Sequence, residues 1–122
     1  MNISLWVCQS ILAIAFIYSG INKSIYSEEK LVAKGQTGVA GLSGSLINFI
    51  GIAEILGAFG IILPWWFKIV PVLTPITAIC FCIVMIFAAP IHYKRKEPKN
   101  VFTNIGLLLI SGFVAYGRFA GW

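Results

Sequence analysis

Four long stretches of the sequence contain almost no charged residues, and this pattern constrains the fold more than any other feature. Residues 1–22, 69–93 and 101–117 contain no aspartate, glutamate, lysine or arginine, and residues 46–67 contain only Glu54. Each stretch is long enough to cross a hydrocarbon core of ~30 Å as a helix. The sequence therefore predicts an all-α protein, an integral membrane four-helix bundle.

The composition favours a single domain that is surrounded by lipid. The chain has 122 residues, enough for one domain, and only 11% of them are charged. Soluble domains carry about a quarter charged residues, so this chain has too few to cover a water-facing surface. We therefore predict one transmembrane domain over residues 1–122, with spans at about 3–21, 46–63, 69–91 and 101–119.

Two residues near the span ends, Pro90 and Ser27, each predict a feature of local structure. Pro90 is expected to end the third span, because proline lacks an N–H group and its ring clashes with the preceding turn. Ser27, which precedes two glutamates, is suited to cap a short surface helix. An irregular loop fits the same segment equally well, so both structures stay open at this point.

Positive charges are distributed unevenly between the two ends of the spans. The loops after spans one and three lie on the same side and hold seven lysines and arginines, whereas the other side holds two, Lys68 and Arg118. By the positive-inside rule, loops 23–45 and 92–100 are cytoplasmic and both termini lie outside. Because these charges meet lipid headgroups, the net charge of +5 indicates the bilayer as partner and no nucleic acid.

Glu54 is the most informative single residue, because it lies near the midpoint of the second span. A carboxylate at that depth costs roughly 2.5–3.5 kcal/mol, so it is expected to face the bundle interior and find a partner there. Gly51 and Ala58 share its helix face, which indicates tight contact with another helix. Glu54 is either a proton carrier, a ligand-binding acid, a polar anchor for a partner or a structural hydrogen-bonding group between helices.

Two cations are candidate partners for this carboxylate. Arg118 is preferred, because it continues a polar stripe of the fourth span that includes Asn104 and Ser111 at intervals of seven. Lys23, at the end of the first span, is the second choice, and the alternative for both cations is extension to the headgroups. Gln9 is a further polar candidate at membrane depth, where it is expected to bond to another helix.

No pattern typical of a metal, haem or nucleotide site is present. His92 is the only histidine, so it cannot supply two axial haem ligands, and the three cysteines form no Cys-x-x-Cys pair. His92 borders a basic loop, where it either lies at the interface or takes part in a proton relay. We expect no metal and no catalytic residue, and the lack of a catalytic motif argues against an independent enzyme.

Five segments, in this order and spacing, resemble the DoxX-like family of small bacterial membrane proteins. They are SGINK at 19–23, IAEILGAFGIILP at 52–64, LTPITA at 73–78, HYKRK at 92–96 and VAYGR at 114–118. The resemblance implies a four-helix bundle in the bacterial cytoplasmic (inner) membrane. The family takes its name from a subunit associated with quinol oxidation and thiosulfate:quinone oxidoreduction, so it implies a quinone cofactor by analogy only.

Three functions are compatible with these observations. The first is an accessory or lipophile-binding (for example quinone-binding) membrane subunit, as a homodimer or in a larger complex, with Glu54 and Arg118 as its polar centre. The second is a small proton-coupled transporter that uses Glu54, although small multidrug transporters insert in both orientations and this chain has a strong charge bias. The third is a membrane assembly factor or chaperone, because similar folds help receptor assembly and cargo export.

Overall fold

Among the residues that the computed structural model describes, four helical segments are long and apolar enough to cross a membrane. The structure describes residues 2–34 and 41–121. Within these residues no strand occurs, and the helices are α1 Asn2–Ile25, α2 Glu28–Ala33, α3 Gly44–Gly60, α4 Leu63–Phe67, α5 Leu73–Lys94 and α6 Pro98–Phe119. Helices α3 and α4 together form the second span. The predicted all-α membrane bundle is thus confirmed.

The second span is interrupted just before a proline. Helix α3 ends at Gly60, because Pro64 has no N–H group to donate to the Gly60 carbonyl and its ring clashes with that turn. Other helices donate to the carbonyls at this break. Thr74 Oγ1 donates to the Gly60 oxygen at 3.2 Å, and Gln9 Nε2 donates to the Ile61 oxygen at 2.6 Å. The break therefore anchors α1 and α5 to the second span.

The long helices pack as two antiparallel pairs, α1 with α3 and α5 with α6, and α1 also contacts α6. At the centre, Phe16 of α1 stacks on Phe81 of α5, with ring centroids 3.8 Å apart and planes inclined by 5°. Ala58 of α3 and Val114 of α6 belong to the same apolar core. Phe81 also lies against Gly57, so the small residue lets α5 approach α3.

The closest approach between α1 and α3 joins two glycines. A Cβ atom built on Gly20 would lie 2.6 Å from the Gly51 carbonyl oxygen, and one built on Gly51 would lie 2.8 Å from the Gly20 oxygen. Small residues permit such contacts, which are a main source of helix association in lipid. Gly51, Glu54 and Ala58 are all buried in α3, so the predicted tight contact on this face is confirmed.

The outward faces of the long helices are apolar. Large hydrophobic side chains such as those of Phe49, Phe87 and Leu109 are exposed along the spans. Lipid tails cover such surfaces without the penalty that water would impose. The surface therefore fits an integral membrane protein in contact with lipid.

The first connection contains the short surface helix that was one of the two alternatives. The Ser27 side chain accepts a hydrogen bond from the Lys30 N–H group at 3.4 Å and so caps α2. Leu31 is fully buried against Ile47, which fixes α2 to the start of α3.

The expectation that Pro90 ends the third span is wrong. Helix α5 continues through Pro90 to Lys94. Membrane helices tolerate proline where neighbouring helices support the freed backbone group, and α6 packs closely along α5.

Candidate functional site

The Glu54 carboxylate is buried and paired with Lys23. Lys23 Nζ lies 2.8 Å from Oε1, and Ser19 Oγ donates to the two carboxylate oxygens at 3.2 and 3.3 Å. Only 7% of the Glu54 side chain and 15% of the Lys23 side chain are exposed. The preference for Arg118 as the cationic partner of Glu54 is therefore wrong, and the second choice, Lys23, makes the contact.

The glycine contact between α1 and α3 explains this pairing. Ser19 and Lys23 are one helical turn apart, so they lie on the same face of α1, beside Gly20. Glu54 lies about one turn beyond Gly51 on the facing helix. Because the two glycines bring the backbones together, both polar side chains of α1 reach the carboxylate. We name Ser19, Lys23 and Glu54 the acidic cluster.

Arg118 lies in a second cluster toward the opposite end of the bundle. Its Nε donates to Gln9 Oε1 at 2.8 Å, and its Nη1 donates to Asn2 Oδ1 at 2.9 Å. The guanidinium carbon lies 5.3 Å from the ring centroid of Trp6 and 4.5 Å from that of Trp65. With 2% of its surface exposed, Arg118 is enclosed by these groups and does not extend to the headgroups. We name these five residues the arginine cluster.

The two clusters are separate. At 1.5 Å per residue, Gln9 and Ser19 lie about 15 Å apart along α1. The buried apolar side chains of Leu12 and Phe16 occupy the helix between them. Glu54 and Arg118 therefore do not form a single polar centre, and each charged group has its own partners.

Arg118→Lys is expected to lower the free energy of unfolding by about 1–2 kcal/mol, because lysine lacks the planar fork that bonds Gln9 and Asn2 while stacking on tryptophan. Unfolding in mixed detergent micelles, followed by tryptophan fluorescence, measures the change. Lys68→Gln is the matched control, because exposed Lys68 also lies over the Trp65 ring, at 4.1 Å, but has no such amide partners among the described residues. Equal losses in both variants would contradict the assignment.

Three buried uncharged side chains carry donor atoms without a hydrogen-bond partner among the described residues. They are Asn22 (Nδ2), Asn104 (Nδ2) and Ser111 (Oγ). These residues are 7%, 8% and 0% exposed, respectively. An unsatisfied buried donor costs about 1–3 kcal/mol, so nearly all such groups are supplied with a partner from protein, water or a ligand. We name these three residues the open donors.

The open donors lie in the same half of the bundle as the acidic cluster. Helices α1 and α6 are antiparallel, with Gln9 beside Arg118. Counting about thirteen residues forward from Gln9 along α1 leads to Asn22. Counting the same number backward from Arg118 along α6 leads to within one residue of Asn104, so Asn22 and Asn104 lie at the same level. Ser111 lies about 10 Å from Asn104 along α6. The open donors and the acidic cluster therefore occupy similar depths in the membrane.

Sequence reasoning named Asn104 and Ser111 but missed Asn22. The sequence did offer a reason to consider Asn22, because this residue directly precedes Lys23 in the segment SGINK. Its position near the span end fitted a headgroup contact equally well, and only the packing of α1 shows that it is buried. A binding role for these three residues stays a prediction.

His92 lies apart from both clusters, near the end of α5. Its Nδ1 is 2.9 Å from Glu97 Oε1, and Arg95 Nε is 3.6 Å from Glu97 Oε2. The Glu97 N–H group also donates to the His92 carbonyl at 3.0 Å. These contacts close the turn between α5 and α6, and a proton-relay role for His92 stays a prediction.

The acidic cluster and the arginine cluster are held together by hydrogen bonds and charge pairing. Among residues 2–34 and 41–121, no three histidine, cysteine or carboxylate side chains come together as a metal site would require. Cys8, Cys80 and Cys82 are free thiols.

Comparison with known proteins identifies the family. The model of the DoxX-like family matches residues 7–114, which include the acidic cluster and all three open donors. No curated protein and no solved structure is similar enough to the chain to be matched with it. Because the family match extends over most of the chain, from the first span into the fourth, this protein belongs to the DoxX-like family.

Proposed function

We propose that the protein is an accessory membrane subunit that binds a small lipophile carrying hydrogen-bond acceptors. The observation that supports this proposal is the set of open donors, Asn22, Asn104 and Ser111. Amide N–H and hydroxyl groups need acceptor oxygens, and the carbonyl oxygen of a lipophile provides one at membrane depth. The site would thus bind and orient a molecule.

The charges near the open donors favour an uncharged ligand. The Glu54 carboxylate and the Lys23 ammonium group compensate each other at 2.8 Å. The open donors themselves belong to two neutral amides and a hydroxyl. A charged ligand would need a compensating ion to enter this site, whereas a neutral acceptor needs only the hydrogen bonds.

A quinone is one member of this ligand class. Its carbonyl oxygens accept hydrogen bonds, which matches the donor chemistry of Asn22, Asn104 and Ser111. The origin of the family name supports the same choice by analogy. A bound quinone would supply electron-carrying chemistry, while the residues of this chain would hold and orient its oxygen atoms.

The test is intact-protein mass spectrometry after extraction from the native membrane in mild detergent. Wild type is expected to retain a stoichiometric small lipophile. Asn104→Leu and Ser111→Ala are each expected to lower its affinity about tenfold, the effect of one lost hydrogen bond. Ser10→Ala is the matched control, because the exposed Ser10 hydroxyl donates to the Trp6 carbonyl of its own helix at 2.8 Å.

The same spectra separate the alternative functions. Wild type without a small molecule, or equal retention in every variant, would contradict lipophile binding at the open donors. A stoichiometric protein partner without a lipophile would favour the assembly factor. A homodimer that carries neither, together with proton-driven uptake in vesicles that Glu54→Gln abolishes, would favour the transporter.

We further propose that the protein lies in the bacterial cytoplasmic membrane with both termini outside. The unequal distribution of lysine and arginine between the two ends of the spans supports this orientation. In a cysteine-free background, Lys99→Cys should react with an impermeant thiol reagent only after permeabilisation, and Gly121→Cys in intact cells. The reverse pattern of labelling would overturn the orientation.

A further inference from the structure

The turn between α5 and α6 carries an apolar cleft with a basic rim. The cleft has a volume of about 550 Å³, and the residues that line it include Tyr93, Lys94, Lys96, Val101 and Phe102. We propose that it binds an anionic phospholipid. The phosphate would lie against Lys94 and Lys96, and an acyl chain would follow Val101 and Phe102.

The charge of the rim matches an anionic headgroup. Glu97 also lines the cleft, but its two carboxylate oxygens lie 2.9 Å from His92 and 3.6 Å from Arg95. Neither Lys94 nor Lys96 forms an ion pair with a carboxylate within the described part of the chain. The positive charge at the cleft is therefore available to a ligand, and each lysine near a membrane surface contributes about fivefold to binding an anionic lipid.

The cleft also lies at the correct depth. Lys94 is the last residue of α5, and the uncharged stretch of the fourth span starts at Val101. The lysines are thus level with headgroups, and Val101 and Phe102 enter the hydrocarbon. Phe102 is 73% exposed and Tyr93 is 76% exposed, so both rings are open to an acyl chain. This cleft is independent of the lipophile site proposed above.

The test measures retention of phosphatidylglycerol and of phosphatidylcholine with identical acyl chains, by intact-protein mass spectrometry of the full chain. Wild type is expected to prefer phosphatidylglycerol. The double variant Lys94→Gln/Lys96→Gln should bind phosphatidylglycerol about thirtyfold more weakly, because two lysines are removed. Val101→Trp, which fills the cleft and keeps both lysines, should lower retention as well.

Lys30→Gln/Lys34→Gln is the matched control. This variant also removes two positive charges, but it removes them from the loop after the first span, which lies on the same side of the membrane. There the two ammonium groups lie over the Tyr26 ring, at 4.7 and 4.2 Å from its centroid. Phosphatidylglycerol retention should therefore stay at the wild-type level in this variant.

Three results would overturn the proposal. Equal losses of phosphatidylglycerol in the two lysine double variants would mean that the lipid is attracted by positive charge in general. Full retention of the lipid in Val101→Trp would mean that the lipid does not occupy the cleft. Displacement of the lipid by soluble glycerol phosphate at equal concentration would mean that the phosphate binds without an acyl chain. Asn104→Leu should leave phosphatidylglycerol retention unchanged, which keeps this test separate from that of the lipophile site.

Discussion

Lys23→Met is expected to lower the free energy of unfolding by about 3–5 kcal/mol, the usual effect of removing one partner of a buried ion pair. The Glu54 side chain is 7% exposed and lies near the middle of the second span. Its short side chain cannot reach the headgroups when the ammonium group is lost. Among the described residues, Ser19 is then the one that still donates a hydrogen bond to Glu54, at 3.2 Å. Equilibrium unfolding in mixed detergent micelles measures the loss.

Glu54→Gln should have a smaller effect than Lys23→Met. Glutamine still accepts a hydrogen bond from Ser19, and Lys23 lies close to the end of α1 at Ile25, so its ammonium group can extend to the headgroups. The double variant Lys23→Met/Glu54→Leu should regain much of the lost stability, because it leaves no charge unpaired. A larger loss in Glu54→Gln than in Lys23→Met would contradict this account of the acidic cluster.

Gly20→Ala is expected to lower the free energy of unfolding by about 3 kcal/mol, the upper part of the range for overpacking. The new Cβ atom would lie 2.6 Å from the Gly51 oxygen and 3.0 Å from the Ile55 nitrogen. Both are backbone atoms, so no side-chain rotation relieves the clash. Helices α1 and α3 would have to separate, and the distance between Lys23 and Glu54 would increase with them.

Gly106→Ala is the matched control for this prediction. Apart from its chain neighbours and the nearby backbone of its own helix, a Cβ atom on Gly106 meets no described atom within 4 Å. Because alanine is the better helix former, this variant should be stabilised by about 0.5–1 kcal/mol. Gly57→Ala should fall between the two, since its clash at 2.7 Å is with the Phe81 ring, which can shift. Similar effects in all three variants would show that the close approach of α1 and α3 is not the reason why position 20 requires glycine.

Most of the fold could be predicted because its cause is local. A helix that crosses lipid needs a continuous apolar stretch, and charged residues end such stretches, so residues 46–67 were recognisable with Glu54 inside them. The break at Gly60 was predictable only in part. The predicted end of the second span at residue 63 lies close to the break, but the short helix Leu63–Phe67 and the passage of α5 through Pro90 depend on neighbouring helices.

The partners of the buried charges could not be predicted in the same way. Arg118 and Lys23 both lie near span ends, and both have side chains long enough to bend inward or to extend outward. The choice depends on which helix face meets which neighbour, and this is set by the glycine contact between α1 and α3. Arg118 instead faces the amides of Gln9 and Asn2 on α1.

By itself, the sequence determined that the chain spans the membrane four times and that Glu54 must be buried with a partner. These properties follow from the cost of charge in lipid, which depends only on residue type and position along a span. Only the tertiary structure decided that Glu54 pairs with Lys23, that Arg118 forms its own cluster, and that Asn22 is an open donor. These outcomes depend on the rotation and packing of helices against one another, which residue spacing within a single helix does not specify.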